Sequence, residues 1–362
     1  SELFLKEKIY YRTKSLDIFI IDSFVCSKFL YKKIKEKFFT IPFIFYDIFY
    51  ILNHLTYKNN FFLKFIARRP IRDFKDINAN SELNKQEYDV NLLLDNSEVE
   101  LSLNKEEIKK GEKIISENVK VNFKGIVLLC VRSKDYYNIK FPDIDAKFMN
   151  YRNYNLSTFI PAINYLTSKG YLVLRMGYNI EKLEINNDLV IDYSHMPWRS
   201  EFMDYYLGYA CDFCISTGFG ADVFARLHRK PMGIISAAID EIYYLHKNYT
   251  FIFNNIKIRG SNSNLTLKEI FENDVHLLEN IQKIDQTKFE LVKNTPEEIK
   301  DLAIEVTRKY ENEYIIDNLE EELQKKFWKL FFKYKKKVTE TPKIRDRISF
   351  SFLKKINNAN EL

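Results

Sequence analysis

The stretch Gly125-Ile126-Val127-Leu128-Leu129-Cys130-Val131-Arg132 is an uninterrupted apolar run that follows a glycine and ends at an arginine. A run of this kind, without alternating polar positions, is typical of a strand buried on both faces of a parallel sheet. Shorter apolar runs follow it at 171–176, 189–191, 213–216 and 232–235. Segments with helical spacing separate them, at 156–169, 202–210 and 221–228. The alternation predicts the α/β class, with a doubly wound parallel sheet of Rossmann type.

The residues on either side of this region predict a second domain and a tail. A strand over 16–21 and helices over 26–37 and 43–55 predict an N-terminal α/β domain within 1–102, whose last part, 70–102, is a polar connection. The chain opens without a methionine, which leaves open whether a first strand precedes it. The Rossmann-type domain occupies 103–330. A basic helical tail over 331–362 is expected to pack back on the N-terminal domain.

The charge is unevenly distributed along the 362 residues, which carry a net charge of +6. Residues 1–70 hold 13 basic and 6 acidic residues, and residues 331–362 hold 9 and 3, so the middle of the chain is acidic. Basic ends favour contact with an anionic membrane, a nucleic acid or an anionic glycan, the alternative being ordinary solvated faces. The acidic middle of the chain argues against a nucleic acid as the binding partner. The best candidate for a membrane span, 38–52, is too short and contains Asp47, and no signal peptide is predicted, so a cytoplasmic location is expected.

Several polar residues follow the predicted strands, at the edge where open parallel sheets bind ligands. They are Arg132, Arg175, His195 and the loop Ser216–Gly220. Arginine is scarce in this lysine-rich chain, so two arginines at strand ends suggest an anionic ligand. The alternative is a structural salt bridge, for example to Asp135 or Asp192.

The loop Ser216-Thr217-Gly218-Phe219-Gly220 joins a strand to the start of a helix, where backbone N–H groups bind phosphate. It lacks the G-x-G-x-x-G continuation of an NAD site, and the chain has no P-loop. The alternative is an ordinary tight turn. Arg152 and Asn153, just before the helix at 156, are expected either to contact the ligand or to cap that helix.

Neither a metal nor a cofactor is predicted. The sequence has no H-E-x-x-H and no cluster of histidine and cysteine with ligand spacing. Cys211 and Cys214 form a C-x-x-C within an apolar run and are expected to be buried. Asp135 and His195 are the candidates for a general base, and the sequence does not rank them.

An ordered set of motifs extends over the chain from about residue 100: Val131-Arg132-Ser133-Lys134-Asp135-Tyr136, Tyr151-Arg152-Asn153-Tyr154-Asn155, Phe159-Ile160-Pro161-Ala162-Ile163, Lys169-Gly170-Tyr171-Leu172-Val173-Leu174-Arg175-Met176-Gly177, Arg199-Ser200-Glu201-Phe202-Met203-Asp204, Ile215-Ser216-Thr217-Gly218-Phe219-Gly220 and Arg347-Ile348-Ser349-Phe350-Ser351-Phe352-Leu353. This set resembles a group of bacterial glycosyltransferase-like proteins linked to surface polysaccharide or glycan synthesis. More remotely, Cys130-Val131-Arg132 and the 216–220 loop look like the strand-end arginine and turn of GT-B fucosyltransferases. Ser133 stands where those enzymes often have a second arginine.

The resemblance implies a GT-B fold, with two Rossmann-type domains and C-terminal helices. The C-terminal domain would bind a nucleotide-sugar donor, and the N-terminal domain would face a glycan or lipid-linked acceptor. The expected donor-binding residues are Arg132, Arg152, Asn153, Arg175, Ser216, Thr217, Gly218, Phe219 and Gly220. The implied activity is metal-independent sugar transfer, with the basic N-terminal helices held at the inner face of the cytoplasmic membrane. The alternative is a non-catalytic nucleotide-sugar or glycan-binding protein of the same fold.

Overall fold

The computed structural model of the protein describes residues 18–21, 27–42, 94, 97–132, 150–178, 181–218, 220–239, 248–334 and 347–362. The chain divides into two compact units, Ser1–Leu101 and Ser102–Leu362. The division falls one residue before the boundary that the sequence predicts.

The described part of the smaller unit is a β-α-β segment. Strand β1 (Ile18–Ile21) and strand β2 (Phe39–Pro42) pair in parallel, and helix α1 (Lys28–Lys37) connects them. The first predicted strand and the first predicted helix are therefore confirmed. The helix predicted over 43–55 lies outside the described residues.

The larger unit contains most of the regular structure. Its strands are β3 (Gly125–Cys130), β4 (Tyr171–Arg175), β5 (Val190–Ile191), β6 (Phe213–Ser216), β7 (Met232–Ala237), β8 (Tyr249–Phe253), β9 (Asn255–Ile258), β10 (Phe289–Val292) and β11 (Arg347–Ile348). Its helices are α2 (Lys105–Asn118), α3 (Ile160–Ser168), α4 (Glu201–Ala210), α5 (Val223–Leu227), α6 (Leu267–Glu272), α7 (Leu278–Ile281), α8 (Pro296–Tyr310), α9 (Asn318–Tyr334) and α10 (Phe350–Asn358).

Seven of these strands form one sheet in the order β11-β8-β7-β6-β3-β4-β5, and every neighbouring pair is parallel. Strands β9 and β10 form a separate antiparallel pair. The chain starts in the middle of the sheet at β3, adds β4 and β5 on one side, and then returns to add β6, β7 and β8 on the other. The predicted α/β class with a Rossmann-like parallel sheet is therefore confirmed.

The central strands are buried, as strands covered by helices on both faces must be. Strands β4, β6 and β8 are buried along their whole length, and β3 is buried after its first residue. Helix α8 packs against α3 and contacts β6, β7 and β8, whereas α4 contacts β3, α2 and α5.

The C-terminal tail is part of the larger unit. Strand β11 extends the sheet beside β8, and α10 packs on α8 and α9. The carboxylate of Glu305 in α8 anchors the tail, because it accepts hydrogen bonds from the Ser349 hydroxyl at 2.7 Å and the Phe350 N–H at 2.9 Å. Residues 347–362 therefore belong to the larger unit. The predicted contact between the tail and the N-terminal domain stays a prediction.

Candidate functional site

The residues that the sequence predicts at strand ends lie at one edge of the sheet. Arg132 follows β3, Arg175 ends β4, His195 follows β5, and Ser216 ends β6. Because all four strands are parallel, their carboxyl ends meet at this edge.

The strand order reverses between β3 and β6, which are neighbours in the sheet. The chain leaves β3 toward β4 on one side and leaves β6 toward β7 on the other, and such a reversal opens the crevice in which doubly wound domains bind ligands. The two chain segments are joined there by hydrogen bonds. The Arg132 N–H donates to Thr217 Oγ1 at 2.9 Å, and the Thr217 N–H donates to the Cys130 carbonyl at 2.9 Å.

The Arg132 side chain is aligned by the segment that precedes α3. Its Nε donates to Asn153 Oδ1 at 3.0 Å, and its carbonyl accepts from the Tyr154 N–H at 3.2 Å. Beside it, the Arg152 guanidinium lies over the Tyr151 ring, 5.0 Å from its centroid. Arg132 and Asn153 are therefore in contact at the reversal point, and the described contact of Arg152 is with its chain neighbour Tyr151.

A buried polar cluster holds this segment against the far side of the sheet. The Tyr154 hydroxyl lies 2.7 Å from Asn254 Oδ1, at the end of β8, and 2.9 Å from Asn294 Oδ1, just before α8. The Lys293 ammonium donates to the Tyr151 carbonyl at 2.5 Å and lies over the Tyr154 ring. Burial lowers the pKa of Lys293 to about 8. Sequence reasoning missed Asn254, Lys293 and Asn294, although Lys293 and Asn294 directly precede the predicted helix start at Thr295.

The loop after β6 is closed by its own hydrogen bonds. The Ser216 hydroxyl donates to Asp222 Oδ2 at 2.6 Å and accepts from the Gly218 N–H at 2.9 Å. Gly218 has a φ of +73°, a conformation that favours glycine. Because the Gly218 N–H donates within the loop, the loop contributes to the site by holding Arg132 through Thr217.

The helix after this loop is shorter than the sequence predicts. A 3-10 turn over Gly220–Asp222 leads into the five residues of α5, where one helix over 221–228 is predicted. The Asp222 carboxylate is buried at this junction, and it pairs with Arg226 Nε at 2.8 Å as well as with Ser216. Among the described residues, apart from its chain neighbours, none has an atom within 4 Å of the place where a Cβ on Gly220 would lie.

Arg175 makes the structural ion pair that the sequence leaves as the alternative to ligand binding. Its side chain is fully buried, with Nη1 3.5 Å from Asp192 Oδ1 and hydrogen-bonded to the Glu181 carbonyl. The Arg175 side chain has no exposed surface, and its described contacts are with Asp192 and the Glu181 carbonyl.

Asp192 also binds His195. His195 Nδ1 lies 2.9 Å from Asp192 Oδ2, and the Ser194 hydroxyl lies 2.9 Å from the same nitrogen. The Asp192 side chain is 6% exposed and that of His195 is 37% exposed. The pair therefore combines a buried carboxylate with a histidine that is open to solvent.

No protein-family model, curated protein or solved structure matches this chain.

Two predicted site residues, Asp135 and Phe219, lie outside the described residues, and their roles stay predictions. In the described ranges, no group of three or more histidine, cysteine or acidic side chains is placed to hold a metal ion. Cys211 and Cys214 are fully buried, and burial raises the pKa of both thiols.

No helix in the part of the chain that the structure covers is both long and apolar enough to cross a membrane.

Proposed function

We propose that this chain is a metal-independent glycosyltransferase of GT-B architecture, acting in bacterial surface polysaccharide synthesis. The larger unit would bind a nucleotide-sugar, and the smaller unit would serve a glycan or lipid-linked acceptor. The parallel β-α-β segment of the smaller unit supports a second Rossmann-type domain, because such domains are built from this motif. The sequence motifs support the choice of sugar transfer.

The observation that carries the proposal is the position of Arg132 at the reversal of strand order, with Asn153 bonded to its Nε. A nucleoside diphosphate gains negative charge as the sugar leaves it. A planar, permanently charged guanidinium can bind two of its oxygens at once. A donor fixed in advance where charge develops stabilises the transition state, and this requires no metal ion.

The basic helix α1 supports a peripheral location at the inner face of the cytoplasmic membrane. Its lysines Lys32, Lys35 and Lys37 are exposed. Basic side chains at a membrane surface are attracted to anionic lipids. Such contact would bring the enzyme close to a lipid-linked acceptor.

A thermal-shift screen of the full chain against GDP, UDP, CMP, ADP and dTDP conjugates tests the proposal. We expect one nucleotide to raise the melting temperature of the wild type, and Arg132→Ala to weaken its binding roughly 10- to 100-fold, the effect of losing hydrogen bonds to a charged group. Arg259→Ala is the matched control, because Arg259 is an exposed arginine next to the β9–β10 pair, where it contacts Asp285, Glu290 and the carbonyls of Ile284 and Thr287. Equal stabilisation of the wild type and Arg132→Ala would contradict the assignment of Arg132.

Hydrolysis of the stabilising nucleotide-sugar separates the enzyme from its alternative. Slow release of the free sugar by the wild type supports transfer chemistry, since water replaces the acceptor. Binding without any turnover, with or without a glycan acceptor, would instead identify a non-catalytic nucleotide-sugar-binding protein.

A further inference from the structure

The carboxyl edge of the sheet holds a second group of reactive side chains, two strands away from Arg132. Arg175, Asp192 and His195 form a line from the buried interior to the surface. The buried arginine contacts one oxygen of Asp192, and the exposed histidine contacts the other. The arrangement joins a fixed carboxylate to an imidazole that solvent can reach.

The hydrogen bonds around Asp192 determine which nitrogen of His195 carries the hydrogen. Asp192 accepts from the Leu183 N–H at 2.8 Å and from the Ser194 hydroxyl at 2.5 Å, and it lies beside the Arg175 cation. A carboxylate so bonded can only accept, so the hydrogen must lie on His195 Nδ1. Nε2 then carries a lone pair, and no described hydrogen bond reaches it.

The backbone fixes the position of this imidazole. Residues Tyr193–His195 form a 3-10 turn directly after β5, and the His195 N–H donates to the Asp192 carbonyl at 3.0 Å. Neighbouring strands lie about 4.8 Å apart, so β5 is about 10 Å from β3 across β4. A donor whose phosphates lie at Arg132 can therefore extend its sugar along the edge toward His195.

We propose that His195 is the general base of an inverting sugar transfer and that Asp192 is its positioning residue. This inference rests on the proposed function. The acceptor hydroxyl gives its proton to His195 Nε2 while its oxygen bonds to the anomeric carbon. The bond from that carbon to the diphosphate oxygen breaks, and the nucleoside diphosphate leaves with the electron pair. Asp192 stabilises the imidazolium, which then releases the proton to water.

The tautomer of His195 can be measured without any substrate. In the full chain labelled with ring-¹⁵N histidine, assigned through a His195→Gln spectrum, we expect the neutral imidazole to carry its hydrogen on Nδ1. Asp192→Asn should change this signature, because the amide can donate to Nδ1. Asp188→Asn, which alters an exposed carboxylate just before β5, should leave it unchanged. A neutral imidazole with its hydrogen on Nε2 would overturn the assignment.

Turnover with the nucleotide-sugar found by thermal shift tests the catalytic step. His195→Gln should lower kcat about 10²- to 10⁴-fold, and Asp192→Asn should lower kcat without weakening nucleotide binding, measured by the same thermal shift. Product with inverted anomeric configuration is expected. A chain that binds no nucleotide refutes the proposed function. If the chain binds a nucleotide but transfers the sugar with retention, or keeps its full rate after His195→Gln, only the assignment of His195 as general base is refuted.

Discussion

Arg132 and Arg175 stand at the ends of neighbouring strands but have different surroundings. Arg132 follows the buried strand β3 and Arg175 ends the buried strand β4, and the sequence suggests the same ligand contact for both. Arg132 lies at the reversal of strand order, keeps 7% of its surface exposed and contacts Asn153, whereas Arg175 is fully enclosed and contacts Asp192. The difference arises from contacts between residues that are 17 to 21 positions apart. A pattern along one strand does not contain this information.

His228 should make the folded protein sensitive to mild acid. Its ring packs edge-on against Tyr205 and Tyr209. Burial, with help from the nearby Lys230 and Arg229 cations, lowers its pKa to about 4. The unfolded chain therefore binds the proton more tightly, and this contribution to stability, complete above pH 6.5, is lost as the pH falls toward 4. Between pH 6.5 and pH 5 the loss is about 2 kcal/mol.

The substitution His228→Phe removes the titrating group and keeps a planar ring between the two tyrosines. We expect the free energy of unfolding, measured with urea at pH 7 and pH 5, to fall less in the variant than in the wild type. An identical fall in both proteins would show that His228 does not cause the acid sensitivity.

At the scale of elements, Gly208 sets the distance between α4 and α5. A Cβ at this position would lie 2.6 Å from the Phe224 carbonyl carbon and 2.9 Å from the Ala225 nitrogen. Glycine to alanine within a helix normally stabilises it by about 1 kcal/mol. Here the overlap with backbone atoms should outweigh that gain, because packed helices must move apart, at a cost of about 1–3 kcal/mol.

We therefore expect Gly208→Ala to lower the urea midpoint of unfolding followed by circular dichroism. Gly220→Ala is the matched control, since no described residue beyond its chain neighbours approaches its Cβ position within 4 Å, and its midpoint should change little. A raised midpoint for Gly208→Ala would refute the close approach of the two helices.

The elements that the sequence predicts correctly are those with a strong local signal. The apolar runs of β3, β4 and β6 reveal buried strands, and Thr295 with Pro296 reveals the start of α8. Strand β11 is only two residues long, too short for any periodicity. Strand β8 was not predicted either, although it is fully buried. Its place in the sheet depends on pairing with β7 and β11, which lie elsewhere in the chain.

At the scale of the whole molecule, the candidate site combines residues that are far apart in sequence. The parallel sheet could be predicted, and it correctly places Arg132, His195 and Ser216 at one edge. The hydrogen bonds that support this edge could not be predicted from the sequence, because Tyr154 bonds to Asn254 and Asn294, which lie 100 and 140 positions further along the chain. Such contacts follow from the order of strands, which no motif in this sequence specifies.

The basic ends of the chain should bind the whole protein to anionic membranes. We expect the full chain to sediment with phosphatidylglycerol-containing vesicles at low salt, not with pure phosphatidylcholine vesicles, and to be released by salt, which screens surface charges. Each lysine near the surface contributes about 1 kcal/mol, so Lys32→Glu with Lys35→Glu in α1 should weaken binding at least about tenfold. Lys105→Glu with Lys109→Glu in α2 makes the same change of charge in the larger unit and should have less effect. Equal loss in both variants would attribute binding to net charge rather than to α1, and no sedimentation of the wild type would exclude the membrane contact.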